Sequence, residues 1–186
     1  MNVPICLDPV GAGATGYRTK TCLDLLSEHK ISIIKGNAGE IAAITGNIPD
    51  LQTRGVDSVG TLANPGLVAK TLSNRTKAVV AISGIIDTVS DGKRVVQVHN
   101  GVSWMGTFTG SGCACTAVTG CFAAVEPDKL VAATAALVAF GVAGEIADMN
   151  GHNSGPQAFR LAFLDAIYNL NVNQILRNAK IDIVES

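Results

Sequence analysis

Aromatic side chains are scarce in this sequence: five Phe, two Tyr and one Trp make up 4% of 186 residues. A core built on aromatic plugs is therefore not expected. Twenty glycines and long Ala/Val/Ile stretches dominate an apolar content of 47%. Small side chains let helices and sheets approach closely, so tightly layered packing is expected instead. An excess of charge is missing too. Fourteen basic and 15 acidic side chains give a net charge of −1, with no Lys/Arg run. That excludes binding driven by neutralisation of nucleic-acid phosphates. Disorder is excluded by the apolar content, which can offset the entropy of ordering the chain. The length suits one compact domain, burying roughly 70% of its unfolded surface.

No CxxC pair exists among Cys6, Cys22, Cys113, Cys115 and Cys121, and no histidine stands at zinc-ligand spacing from them. Neither a zinc site nor a disulfide framework is signalled, and reduced thiols in a cytoplasmic setting are expected. The N-terminus has no basic region before its short apolar run, so it does not read as a signal peptide. The most apolar segment, Leu130 to Gly144, runs fifteen residues before Glu145, too short to span a membrane; it reads as a buried core helix. No lipidation motif is evident.

Along the chain, Pro4 to Leu7 reads as a buried strand stopped by Asp8-Pro9, followed by a glycine-rich loop from Gly11 to Gly16. Tyr17 to His29 has the pattern of an amphipathic helix, Ile31 to Ile34 of a strand, and a further helix begins at Ala38. Strand and helix in alternation predict a βαβ unit and a parallel sheet. Residues 46–59 read as a loop, Thr61 to Ser73 as a helix and Ala78 to Ile82 as a third parallel-type strand. Ile85 to Ser90 and Arg94 to His99 form a hairpin around Asp91-Gly92, a favoured turn dipeptide. Helices are predicted at Gly112 to Val125, Pro127 to Met149 and Gly155 to Leu170; Val172 to Ser186 is helical and then extended. Three parallel-type strands are few for four or five helices, so the sheet is either small or short of N-terminal strands.

Thr109-Gly110-Ser111-Gly112-Cys113 opens a small-residue helix. Two glycines around Ser111 leave backbone N–H groups free to converge, and the helix start adds positive potential. Such a turn holds a phosphate or a developing oxyanion, with Cys113 in the first helical turn; it also fits a plain glycine-rich connection with a buried structural cysteine. Asp8, at the end of the first strand, and Glu40, in the first turn of a helix, fit either a turn aspartate and a helix-dipole partner or a pair of oxygen ligands for Mg²⁺. Lys35 and Asn37 fit nucleotide phosphate contacts, or, for Lys35, a solvated strand-end charge. Ser83-Gly84 at the same sheet edge fits a phosphate contact or a turn hydrogen bond. His99 at the hairpin end reads as structural, and His29 and His152 carry no functional signal. Trp104 and Met105 fit either a pocket lining or a hydrophobic lid.

Taken together, the strings Leu7-Asp8-Pro9-Val10-Gly11-Ala12-Gly13-Ala14-Thr15, Lys35-Gly36-Asn37-Ala38-Gly39-Glu40-Ile41, Val98-His99-Asn100-Gly101 and Thr109-Gly110-Ser111-Gly112-Cys113-Ala114 resemble the hydroxyethylthiazole kinase family, in its order and over essentially the whole chain. Gly155 to Leu161 resembles it as well. The resemblance implies an α/β, ribokinase-like fold, a mostly parallel sheet flanked by helices, with residues 1–186 forming one kinase domain that lacks the family's N-terminal portion. It implies transfer of the ATP γ-phosphate to the hydroxyethyl group of 4-methyl-5-(2-hydroxyethyl)thiazole in thiamine synthesis and salvage. It also implies a homotrimer with the thiazole pocket shared between subunits, and the missing N-terminal portion fits a fragment, an incomplete gene model or the tail of a bifunctional thiamine-phosphate synthase/kinase. Asp8 and Glu40 match the family's magnesium-site carboxylates, and Ser83 its Thr/Ser contact to ATP. Lys35 stands where the family usually has an ATP-contacting arginine, which loses the planar bidentate fork. Gly110 matches a thiazole contact and Cys113 the position facing the substrate hydroxyl, where related kinases carry an aspartate base. The turn Gly110, Ser111 and Gly112 would stabilise the transferring phosphoryl group. A sibling hydroxymethylpyrimidine kinase, or an inactive fragment needing a partner segment, are the competing readings.

Overall fold

The computed structural model of the chain describes residues 3–48, 64–149 and 154–184. Most of the expected 46–59 loop, the start of the helix expected from Thr61, and His152 lie outside the described residues. Within them, six strands form one sheet in sequence order: β1 (Cys6–Leu7), β2 (Ile33–Asn37), β3 (Val79–Ser83), β4 (Asp87–Ser90), β5 (Val95–Val98) and β6 (Ile181–Val184). Seven helices accompany them: α1 (Gly16–Glu28), α2 (Ala38–Asn47), α3 (Pro65–Thr76), α4 (Ser111–Val125), α5 (Lys129–Met149), α6 (Pro156–Asn169) and α7 (Val172–Asn178).

The α/β class holds, but the sheet is mixed rather than mostly parallel. β1, β2 and β3 run parallel, whereas β3 to β6 pair antiparallel. Connection length is the physical reason. α1 lies between β1 and β2, and α2 and α3 between β2 and β3, whereas only Gly84, Ile85 and Ile86 separate β3 from β4; three residues cannot carry a parallel crossover.

The strands alternate their side chains between two cores. Ile33, Val79 and Ala81 face one layer; Ile34, Val80 and Ile82 face the other. The second layer packs on α1, α2 and α3 through Cys22, Ile41 and Leu72, among others. The first packs on α4, α5 and α6, where alanines and valines of α5 dominate. Close layering through small residues is thus present, but the expectation of no aromatic plug is overturned. Five of the eight aromatics, Trp104, Phe108, Phe140, Phe159 and Phe163, make one connected ring cluster beside α5 and α6. α5 is also longer than its apolar run: its 21 residues are long and apolar enough to cross a membrane, but 78% of its most apolar window is buried inside the protein, as a core helix requires.

Side chains start most helices. Thr15, Asn37, Asn64 and Asn171 each accept a backbone N–H three residues on, at 2.9–3.2 Å. Asp128 does the same for α5, accepting from Leu130 and Val131. α4 begins differently, and that difference builds the site.

Candidate active site

Gly110 is the residue before α4 and adopts φ +96°, a left-handed conformation that favours glycine. It caps the helix with no side chain. The first helical bond is Ala114 N–H to Gly110 O at 2.9 Å, so the amides of Ser111, Gly112 and Cys113 have no acceptor within the helix. Three N–H groups and the positive end of a 15-residue helix converge at that point.

These residues border a cavity of about 660 Å³, within the range that holds a small-molecule ligand. Lys35, Ser83 and Asp87 line one part of it; Met105, Phe108, Leu137 and Phe140 supply an apolar wall. Gly110, Ser111 and Gly112 line it as well.

Lys35 is 2% exposed, which removes the solvated-charge reading. β2 continues past Ile34 to Asn37, so Lys35 is an interior strand residue whose Nζ donates to Gly112 O at 3.0 Å. The ammonium therefore lies beside the first turn of α4. Asp87 faces the same cavity and accepts the Gly84 N–H at 2.9 Å. Burial pushes its carboxyl up to about 6, against the opposing influence of that amide and of Lys35. Ser83 lines the cavity, its hydroxyl donating to Gly36 O at 3.4 Å.

The two cysteines at the start of α4 differ sharply. Cys115 lines the cavity, and burial pushes its thiol up to about 12, leaving it protonated and inert at neutral pH. Cys113 is exposed, on the first turn of α4, and is not part of the cavity lining. The cavity and the Cys113 thiol thus meet the same helix terminus from different sides.

Asp8 and Glu40 lie by the β1–α1 loop. Asp8 Oδ2 accepts from the Thr116 hydroxyl of α4 at 2.7 Å. Glu40 Oε1 accepts from Gly11 N–H at 3.0 Å and Oε2 from Asn37 N–H at 2.9 Å. Burial raises the Cys22 thiol, and the Glu40 and Asp8 carboxylates add to it. Asn37 returns the Glu40 bond by accepting its N–H, a reciprocal capping box, and does not line the cavity. Among the described residues no cluster of three or more His, Cys, Asp or Glu side chains could hold a metal. Two carboxylates alone suit a hydrated Mg²⁺, which keeps several waters and takes further oxygens from phosphates.

Sequence reasoning missed Asp87, Thr116 and Cys115. Thr116 lies four residues after Gly112, on the inward face of α4, a helical spacing that was available. Asp87 had no such signal, since a polar residue opening a strand is ordinary.

A family model described as the hydroxyethylthiazole kinase family matches residues 1–173. A hydroxyethylthiazole kinase of Desulforudis audaxviator is 48% identical over 180 residues, 97% of this chain and 64% of that relative. One from Methanocella arvoryzae is 45% identical over 181 residues, 97% of this chain and 66% of the relative. The solved structure of a hydroxyethylthiazole kinase protein from Pyrococcus horikoshii superposes with a TM-score of 0.85 at 38% identity, covering 98% of this chain and 66% of its own. The chain spans just under two-thirds of the length of these relatives.

Proposed function

The chain belongs to the hydroxyethylthiazole kinase family, and from that premise we propose that it transfers the γ-phosphate of ATP to the hydroxyl of 4-methyl-5-(2-hydroxyethyl)thiazole. One observation carries the reading: three amides at the start of α4 with no partner among the described residues lie in the same helical turn as the carbonyl that holds the buried Lys35 ammonium, beside a cavity. Phosphoryl transfer is mostly positioning and charge stabilisation, and this arrangement supplies both.

In this reading the nucleotide occupies the cavity. Its phosphates face Lys35, Ser83 and the Gly110–Ser111–Gly112 turn, and its ring lies against the apolar wall. Asn37 contributes through the fold, by capping α2 beside the phosphates. The alcohol approaches from the exposed side of α4, where Gly110 contacts the thiazole and Cys113 receives or orients the hydroxyl proton. Asp8 and Glu40 would hold magnesium, Asp8 being the freer ligand because both Glu40 oxygens already accept backbone N–H groups. When bound, the ion would neutralise phosphate charge. Residues 1–186 act as a single kinase domain in a cytoplasmic setting, which five free cysteines support. Assembly as a homotrimer belongs to the same reading, supported by Leu161, Leu164 and Tyr168 exposed along α6.

The test is a substrate panel with Mg·ATP. Phosphorylation of the thiazole alcohol but not of hydroxymethylpyrimidine is expected. The reverse preference would assign the chain to the sibling kinase, and no transfer to either would leave it a fragment requiring a partner segment.

A further inference from the structure

The Val98-His99-Asn100-Gly101 string has no role in the phosphate site, yet it sits at the centre of a partly buried polar network. Asn100 is 6% exposed, and its amide is fully used. Its Nδ2 donates to Asn178 O at 2.7 Å and to Glu145 Oε1 at 3.2 Å, and its Oδ1 accepts the Lys180 N–H at 2.9 Å. The same Glu145 oxygen also accepts the Gly101 N–H at 2.9 Å and the Lys180 ammonium at 3.0 Å. A partly buried network centred on a fully bonded Asn100 amide favours one arrangement.

That arrangement stands directly behind the cavity. Asn100, Gly101 and Met105 line it, and Gly101 turns the chain at φ +126° into a short 3-10 turn at Ser103–Gly106. α5 approaches this loop through two glycines. A Cβ at Gly141 would lie 2.6 Å from Asn100 Cβ, and one at Gly144 would strike Met105 Sδ. Asn178 and Lys180 come from the end of α7 and the link to β6, beyond residue 173, where the family match ends.

We infer that Asn100 and Glu145 are positioning residues that hold the 101–106 wall of the cavity, and that the C-terminal α7–β6 segment is the third anchor of that wall. The inference rests on the kinase reading only for its binding consequence. The sole tryptophan, Trp104, lies in the Ser103–Gly106 turn of that segment and stacks on Phe159 at 6.1 Å between ring centroids, so it reports the segment independently of any ligand.

The experiment uses the whole chain with Glu145→Ala, Glu145→Gln and Lys180→Met, kept folded as judged by circular dichroism. It measures Trp104 emission, acrylamide quenching and Mg·ATP binding by calorimetry. Glu145→Ala leaves the Gly101 amide unpaired; it should red-shift Trp104 and weaken Mg·ATP by about tenfold. Glu145→Gln keeps an acceptor and should stay within about twofold of wild type. If Glu145→Ala does not fold, Lys180→Met decides, since it removes only a half-exposed ammonium; a red shift in the same direction is expected. Trp104 emission unchanged in Glu145→Ala, or in Lys180→Met where that variant decides, overturns the inference and leaves the network merely fastening β6. Glu145→Gln behaving like Glu145→Ala overturns it too. If wild-type protein binds no Mg·ATP, the kinase reading fails, and Trp104 emission alone judges the wall.

Discussion

Replacing Lys35 with methionine separates binding from stability at the candidate site. The ammonium is 2% exposed and donates to Gly112 O at 3.0 Å. A charge-assisted hydrogen bond to a phosphate in such a setting contributes about 2–3 kcal/mol, so Mg·ATP affinity should fall roughly 30- to 150-fold. The fold should tolerate the change. Methionine fills a similar volume, an ammonium no longer needs desolvating, and the Gly112 carbonyl keeps its place in the hydrogen-bond ladder of α4. The cost falls on Asp87, which loses the cation that opposes its rise to about 6. A folded-state value above the ordinary 3.8 means the native protein holds the extra proton, so stability is lost as pH rises through that window. At pH 5 the variant should match wild type within about 1 kcal/mol, and above pH 7 it should be less stable, with a steeper decline between. Urea titrations at both pH values and calorimetric Mg·ATP titrations read the two effects. Wild-type affinity in Lys35→Met would refute the phosphate role. A loss above about 3 kcal/mol at pH 5 would show that the ammonium mainly holds the fold.

Asp87→Asn keeps an acceptor for the Gly84 N–H and removes the buried charge. Stability at pH 7.5 should rise by up to about 3 kcal/mol, a figure that already includes the Lys35 attraction, and its decline between pH 4 and 6 should flatten in thermal melts. Gly141→Ala places a Cβ against the backbone of residue 100 and should lower stability by about 1–3 kcal/mol in urea titrations, despite the helix-propensity gain. Gly144→Ala meets only the Met105 side chain, which can move, and should cost less than half as much in the same titration. Cys113→Ser should lower turnover about tenfold, near 1.4 kcal/mol of transition-state stabilisation, with Mg·ATP affinity unchanged; unchanged turnover removes the thiol from the reaction.

Much of the fold is legible locally. The apolar runs at Ile33-Ile34 and 78–82 announce buried strands, and their alternate residues do face two cores. What failed depends on distant partners. A charge ending an apolar run looks like a strand end at Lys35 or a helix-core end at Glu145. Yet Gly112 satisfies Lys35 from 77 residues away, while Asn100, Gly101 and Lys180 satisfy Glu145 within α5. β6 has four exposed residues and no burial pattern, so its pairing with β5 is a tertiary fact. The glycine turn before α4 was readable because its conformation is local. Which side of that helix holds the cavity, and hence the contrast between Cys113 and Cys115, was not.

Everything proposed for the site depends on the open end of α4 holding nucleotide phosphates. Amide hydrogen exchange at Ser111, Gly112 and Cys113, followed by nuclear magnetic resonance with and without Mg·ATP, tests it most directly. Fast exchange is expected at these three amides in the free protein, and marked slowing when nucleotide binds. Nucleotide binding that slows exchange elsewhere and leaves these three amides unchanged would contradict it.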